Sequence, residues 1–327
     1  MTFKRTLTMV RLALATALVA TAANSAAQTY PTGPIRMVVG FPPGGGVDLA
    51  ARLIATGMSK VLGQTIVIEN RAGAGGSIGA LAVAKAQPDG YTILMGNTGS
   101  LTINPFVTPG QSVRTLNDFE PVALVSSSPL AIVAKNTLPV QNMSEFVKLA
   151  KSAPDKYTFG TGGSGSISHL AIELLKLETG IKLLHVPYKG GSPAIQDLLA
   201  NQVDIVIDGV PLAAPLVLDG RIKGLAVTSK DRSTVLPKVP TLVESGFPNI
   251  VISAWYGIVV PKGTPSHVVD ALNRAVNISL KDPEMQKKFV QQGSSVAGGT
   301  PAEFGAYLQN ELNRWEKAVK ASGMKAQ

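Results

Sequence analysis

The sequence holds 327 residues, 45% of them apolar and 5% aromatic, with a formal charge of +9 and no cysteine. Without cysteine there is no disulfide, no thiolate metal site, no cysteine nucleophile and no lipid-modified cysteine at a processed N-terminus. The Lys and Arg residues are scattered singly and are not interleaved with aromatics, which argues against nucleic acid as a partner. A modest cationic surplus suits a small anion instead.

Lys4, Arg5 and Arg11 flank an uncharged, largely apolar stretch over 12–23, and Ser25 and Ala27 put small residues at −3 and −1 of a cut before Gln28. This three-part pattern predicts a secretory signal over 1–27, with a mature chain of residues 28–327 in the periplasm. A membrane anchor fits less well: a dozen helical residues rise about 18 Å, against a hydrocarbon core of roughly 30 Å.

Beyond the signal, short apolar runs alternate with amphipathic stretches, the pattern of βα units around a mostly parallel sheet. Strands are expected over 35–41, 65–69 and 92–96. One helix between them stops at Gly63 and a second covers 77–86. A second set follows, with strands over 122–126, 130–135, 157–160, 183–186, 203–208 and 225–228. Its helices cover 142–151, with Asn142 as cap and Glu145 three residues on, 166–179, closed by Gly180, and 193–200. The last part is expected to hold one strand, 257–260, and two or three helices, the final one over 301–322. Two α/β halves without a low-complexity linker predict lobes joined by chain crossovers near 126–128 and 228–229. Residues 28–127 and 228–327 would form lobe 1 and residues 128–227 lobe 2, hinged to close on a ligand.

Two loops carry the chemistry. Phe41, Pro42, Pro43, Gly44, Gly45, Gly46, Val47 and Asp48 lie between the first strand and its helix. Glycines there let backbone N–H groups turn inward, and the helix start adds partial positive charge, which suits a carboxylate or phosphate. Asp48 is read as binding-loop residue or as helix cap. A second loop repeats the pattern with Thr161, Gly162, Gly163, Ser164, Ser166 and Ser168. Its literal G-x-G-x-x-G lacks the downstream acid of a dinucleotide site. Its hydroxyls fit a carboxylate or its waters. One such loop per half predicts a cleft that grips an acid from both sides.

Asn97, Thr98, Gly99 and Ser100 end the third strand, where open α/β folds bind ligands. Asp208 either accepts a hydrogen bond from a ligand amine, hydroxyl or water, or caps the turn ahead of Pro211. The glycine-rich run from Arg71 to Ser77 supports the first loop. There is no H-E-x-x-H and no G-K-[ST] phosphate loop, and no nucleophile elbow is expected. His169, His185 and His267 are read as structural, and Trp255 and Tyr256 as core or interlobe packing. No metal or cofactor is expected.

The chain resembles the Bug-type solute-binding receptors of tripartite tricarboxylate transporters. The likeness rests on IRMVVGFPPGGG from Ile35 with Asp48 and Arg52, IVIENRAGAGGSIGA from Ile66, PDGYTILMGNTGSLTINP from Pro88, GSGSISHLAIELLK from Gly163, HVPYKGGSPAIQDLLANQVD from His185 and WYGIVVPKGTP from Trp255. It implies a type II-like periplasmic-binding-protein fold, each lobe a mixed sheet flanked by helices. It also implies that the loops of residues 41–48 and 161–168 grip a carboxylate through backbone groups and waters, with Thr98 and Asp208 in the cleft. The chain departs from that pattern in its run of three glycines before Val47 and at Leu101, apolar where relatives are polar, which points to a less polar distal end of the ligand. The implied protein is a monomer that hands a small carboxylate to the transporter's membrane subunits. Alternatives are a ligand-sensing receptor for a signalling partner and an exported hydrolase or lyase.

Overall fold

The computed structural model describes residues 30–323 except 109 and 111; the expected signal and its cut before Gln28 lie outside them. β1 (Ile35–Val39), α1 (Gly46–Leu62), β2 (Ile66–Asn70), α2 (Ser77–Ala84) and β3 (Thr92–Asn97) follow in the expected order. A π-type turn (Gly99–Ile103), α3 (Asn104–Val107) and α4 (Thr115–Asp118) lead to β4 (Phe119–Ala134). The second set comprises α5 (Met143–Ser152), β5 (Thr158–Thr161), α6 (Ile167–Thr179), β6 (Leu184–Pro187), α7 (Gly191–Leu199), β7 (Ile205–Gly209), α8 (Val210–Leu218) and β8 (Lys223–Val227). β9 (Ser253–Pro261), α9 (Ser266–Lys281), α10 (Pro283–Gln291), β10 (Ser295–Gly298) and α11 (Pro301–Ser322) complete the chain.

Helix ends obey local chemistry. Gly63 closes α1 in the left-handed region at φ 66°. The Asn142 side chain accepts the Glu145 N–H at 2.9 Å, and Thr300 with Glu303 forms a capping box at α11. Each such cap satisfies a backbone group that the helix itself leaves open. Elements not expected include the short helices α3 and α4, the short strand β10, and α8, which runs from Val210 through Pro211 where the sequence reads as a turn.

The strands run in the order β2-β1-β3-β9-β4-β7-β5-β6, with β8 and β10 also paired to β4. β1 lies parallel to β2 and β3, and β5 parallel to β6 and β7. β4 joins the halves. Its first part pairs antiparallel with β9 from Phe119 opposite Pro261 to Pro129 opposite Ser253. Its last part pairs with β7 from Leu130 opposite Gly209 to Ala134 opposite Ile205. The two strands expected here are therefore one. Pro121 sits beside a bulge and Pro129 at the change of partners, both places where a missing N–H is tolerated.

Each half has its own core. Val38, Leu94, Phe119, Trp255, Val259 and Phe304 pack in the first, and Ala131, Ile195, Val206, Ala213 and Val227 in the second. Leu236 and Val239 belong to the second core as well, and Val227 exchanges backbone bonds with Pro240 and Leu242. Residues just past 227 thus pack with the second core before β9 joins the sheet of the first.

Thr228 ties the two crossings together. Its Oγ1 accepts the Leu130 N–H at 2.9 Å and donates to the Ile252 carbonyl at 2.6 Å, and the residue is fully buried. Thr228→Val keeps the shape and strands both backbone groups. It should cost about 1–3 kcal/mol in denaturant unfolding; an unchanged midpoint would show that the backbone ladder alone holds the crossings.

Candidate functional site

A cavity of about 40 Å³ lies where the carboxyl ends of β1, β3, β5 and β7 converge, with room for about three waters. Its wall includes Phe41, Pro42, Gly45, Gly46 and Val47 from one half and Gly162, Ser166, Ser168 and Asp208 from the other. These are nine of the residues that the sequence nominates.

In the first loop Pro42 and Pro43 break the strand, and α1 starts at Gly46. The first N–H to find an intrahelical carbonyl is that of Leu49, bonded to Gly45 at 2.9 Å. The N–H groups of Gly46 and Val47 thus have no intrahelical acceptor, and both residues line the cavity. Asp48 is 1% exposed and turned away from the cavity. Its carboxylate accepts from the Gly44 N–H at 2.9 Å, Arg52 Nε at 2.8 Å and Asn70 Nδ2 at 2.9 Å. Asn70 Nδ2 also donates to the Phe41 carbonyl. Burial pushes the Asp48 carboxyl up, but these donors outweigh it and hold it below the usual carboxylate range. Asp48 therefore folds the loop. Gly76 supports it from behind: a Cβ there would lie 2.8 Å from the Phe41 ring.

The second loop is built the same way. Ser166 caps α6 by accepting the His169 N–H at 3.2 Å, and Ser168 Oγ accepts the Gly162 N–H at 3.1 Å. Leu170 makes the first intrahelical bond, to Ser166, so the N–H groups of Ile167 and Ser168 have no acceptor within the helix. Both residues line the cavity. Thr161 Oγ1 lies 2.7 Å from His185 Nε2 and accepts the Gly163 N–H at 3.2 Å. His185 stacks between Phe159 and His169. Burial, helped by the nearby His185 and Lys176, pushes His169 down to about 3, so it stays neutral.

The halves meet over the cavity. Ser192 Oγ donates to the Pro43 carbonyl at 3.1 Å. A Cβ on Gly190 would lie 2.5 Å from Pro42 Cδ, and one on Gly75 would lie 2.6 Å from the Ser164 carbonyl.

Six nominated residues do not line the cavity: Gly44, Asp48, Thr98, Thr161, Gly163 and Ser164. Thr98 is fully buried and its Oγ1 accepts the Trp255 N–H at 2.9 Å, so it braces β9. Thr161, Gly163 and Gly44 are held by the loop bonds just described. Leu101 packs in the first core, so the apolar residue there does not shape the ligand's end. A literal G-x-S-x-G also occurs, at Gly75, Ser77 and Gly79, but Ser77 is buried at the start of α2 with its hydroxyl accepting from Asn104. The cavity wall also holds Asn97, from the candidate run at the end of β3, and Ile167, from the second loop, together with Leu130, Gly191, Gly209, Ala254 and Tyr256, which sequence reasoning did not nominate. Gly191 follows the rule that found the other loops, a glycine pair at a helix start after a strand.

The family model for the tripartite tricarboxylate transporter family receptor matches residues 50–324. The solved structure of the periplasmic binding protein BugD is 38% identical, with a TM-score of 0.88 over 91% of this chain and 100% of that one. Rpa4515 of R. palustris, solved with adipate, is 35% identical, with a TM-score of 0.88 over 91% of this chain and 100% of that one. MatC of Rhodopseudomonas palustris, with bound malate, is 35% identical, with a TM-score of 0.85 over 89% of this chain and 100% of that one.

Burial pushes the Asp208 carboxyl from 3.8 up to about 6, against the Gly209 N–H, which lowers it. The folded protein thus holds this proton more tightly than the unfolded chain. The stability it contributes is present below about pH 4 and lost as pH rises through about 6. Asp208→Asn should be nearly neutral at pH 4 and stabilise by roughly 1–3 kcal/mol at pH 8, read by denaturant unfolding at both. Equal effects at the two pH values would show that this carboxyl does not carry the shift.

Proposed function

The chain belongs to the tripartite tricarboxylate transporter receptor family, and on that premise we propose that it is an exported protein that captures a small organic carboxylate in the periplasm. It would deliver this acid to the membrane subunits of such a transporter. The observation that carries the reading is the pair of helix starts at Gly46 and Val47 and at Ile167 and Ser168, whose N–H groups have no intrahelical acceptor and whose residues line one cavity. Anionic oxygen is the natural acceptor for such donors, because the helix dipole adds to the hydrogen bonds. Adipate in Rpa4515 and malate in MatC, both dicarboxylates, fit this chemistry.

The role is reversible capture without turnover. The serines of the cavity wall are spent on capping and loop bonds, and the neighbouring histidines stack on each other behind the loop. In the proposed cycle the acid meets one loop in an open form, and the second loop completes the site as the lobes close. Closure is favoured only by contacts that the closed form adds. The lobes divide where β4 changes partners and rejoin at Ile252. The export signal over 1–27, cut before Gln28, places the mature chain outside the inner membrane, and no described helix is long and apolar enough to cross one.

A thermal-shift panel of mono-, di- and tricarboxylates tests the reading. At a ligand concentration a hundred times Kd, the binding acid should stabilise the protein by about 2.7 kcal/mol. A folded protein that no acid shifts, and that carries no acid on mass spectrometry after denaturation, would sink it.

Asp48→Asn tests how the loop is formed. The variant keeps the volume and loses the charge that holds Gly44, Arg52 and Asn70. Affinity for the acid should fall by about tenfold or more, roughly 1.4 kcal/mol, although Asp48 touches no ligand. Wild-type affinity in a stably folded variant would reduce Asp48 to a residue of the fold alone.

A further inference from the structure

Asp208 and Tyr256 share the cavity wall. Asp208 Oδ1 is taken by the Gly209 N–H at 2.7 Å. Oδ2 faces the backbone of the second half's loops: a Cβ on Gly191 would lie 2.0 Å from it, and one on Gly162 would lie 3.8 Å away. The absence of a side chain at Gly191 is what leaves room for this oxygen, while a Cβ on Gly162 would only touch it. Tyr256 is 3% exposed, and its hydroxyl lies 2.6 Å from a Cβ placed on Gly46 and 3.4 Å from one on Gly209. That hydroxyl therefore stands between the first residue of α1 and the end of β7. Neither Asp208 Oδ2 nor the Tyr256 hydroxyl has a hydrogen-bond partner among the described residues. Tyr256 is buried and Asp208 half-buried, and the partner that this pair lacks within the protein is one that a ligand can supply.

The helix starts explain how a carboxylate is held, but they leave this pair unused. A bare mono- or dicarboxylate at neutral pH offers only acceptors. Placed beside ionised Asp208 it would set oxygen against oxygen, which opposes binding. A hydroxyl or ammonium group on the ligand supplies the missing proton. Resting on the carboxylate-receptor reading, we infer that the site selects an acid with a hydroxyl or amino group close to its carboxylate, that Asp208 Oδ2 accepts from that group, and that the Tyr256 hydroxyl donates to the ligand beside it. Asp208 then acts as a specificity residue. It rejects bare acids more than it adds affinity, since a site built to pair with a donor discriminates chiefly against the analogue that lacks it.

Calorimetry of the purified protein at pH 8, where Asp208 is ionised, tests the inference with two matched sets: succinate against malate and aspartate, and propionate against lactate and alanine. The hydroxy or amino acid should bind at least tenfold more tightly than its bare counterpart in the set that binds. Asp208→Asn should narrow that preference to less than about threefold, and Tyr256→Phe should weaken the preferred acid while leaving the melting temperature near that of the wild type. A bare acid that binds as tightly as its counterpart overturns the inference and leaves the receptor reading standing. Full preference retained in Asp208→Asn overturns it as well. Should that variant not fold, the wild-type comparison decides alone. Failure of every acid in both sets, in folded protein, removes this inference, and extension of that failure to the wider panel removes the receptor reading too.

Discussion

A backbone N–H removed from water must find an acceptor, and this constraint organises the molecule. Every helix begins with N–H groups that lack a carbonyl four residues back. At some helices side chains close these positions, as Asn142 and the Thr300–Glu303 box do. At α1 no side chain caps the start: its N-cap is Gly45, and Asp48 reaches back to Gly44. The local acid is spent on shaping the loop, and the first residues of the helix, Gly46 and Val47, line the cavity without an intrahelical acceptor for their N–H groups. At α6 Ser166 satisfies only His169, which leaves Ile167 and Ser168 open to the same space. Two incomplete caps, one from each half, amount to a socket for an anion.

The sheet exists to bring those caps face to face. β1 and β5 each end in a glycine-rich loop, and each lies in the middle of a parallel set within its own half. β4 binds the sets into one sheet by pairing with β9 on one stretch and with β7 on the next. Thr228 knits the return crossing to the outward one at Leu130 and Ile252. The cavity opens beside this join, with Leu130 and Ala254 in its wall. A movement about the join therefore changes the gap between the loops while leaving each loop intact.

Much of this was legible locally. Alternating apolar runs, Gly63, Gly180 and Asn142 marked the strands and helix ends because caps and turns depend on near neighbours in sequence. The two glycine-rich loops were legible for the same reason. What the sequence concealed depends on distant partners. β4 read as two strands because Pro129 suggests a break, and only its position at the change of partners makes it harmless. α8 was hidden by Pro211 and Pro215. Trp255 and Tyr256 looked alike in an apolar strand buried on both faces, where period-two alternation carries no contrast. Being adjacent, they point to opposite faces. Trp255 enters the core and donates to Glu311 at 2.9 Å, while Tyr256 reaches the cavity. The packing of Leu236 and Val239 on the second core was likewise hidden, because it leaves no mark in a loop's composition.

The positive charge of the chain invited an electrostatic account of anion binding, and the structure separates that account into two parts. Among the described residues no Lys or Arg lines the cavity. The nearest, Arg52, is engaged with Asp48 and half exposed. Dispersed surface cations raise the rate at which an anion arrives, and salt screens them. The bound anion instead meets fixed dipoles, each worth a fraction of a full charge. A buried guanidinium facing a carboxylate would make release costly, because separating the pair strands a charge in the wall. Dipoles leave no such residue, since water can replace the ligand at each N–H when the halves part. A protein whose task is to hand over what it holds is better served by two open helix starts than by an ion pair, and the single carboxylate left in the wall, Asp208, sets what kind of acid those helix starts will accept.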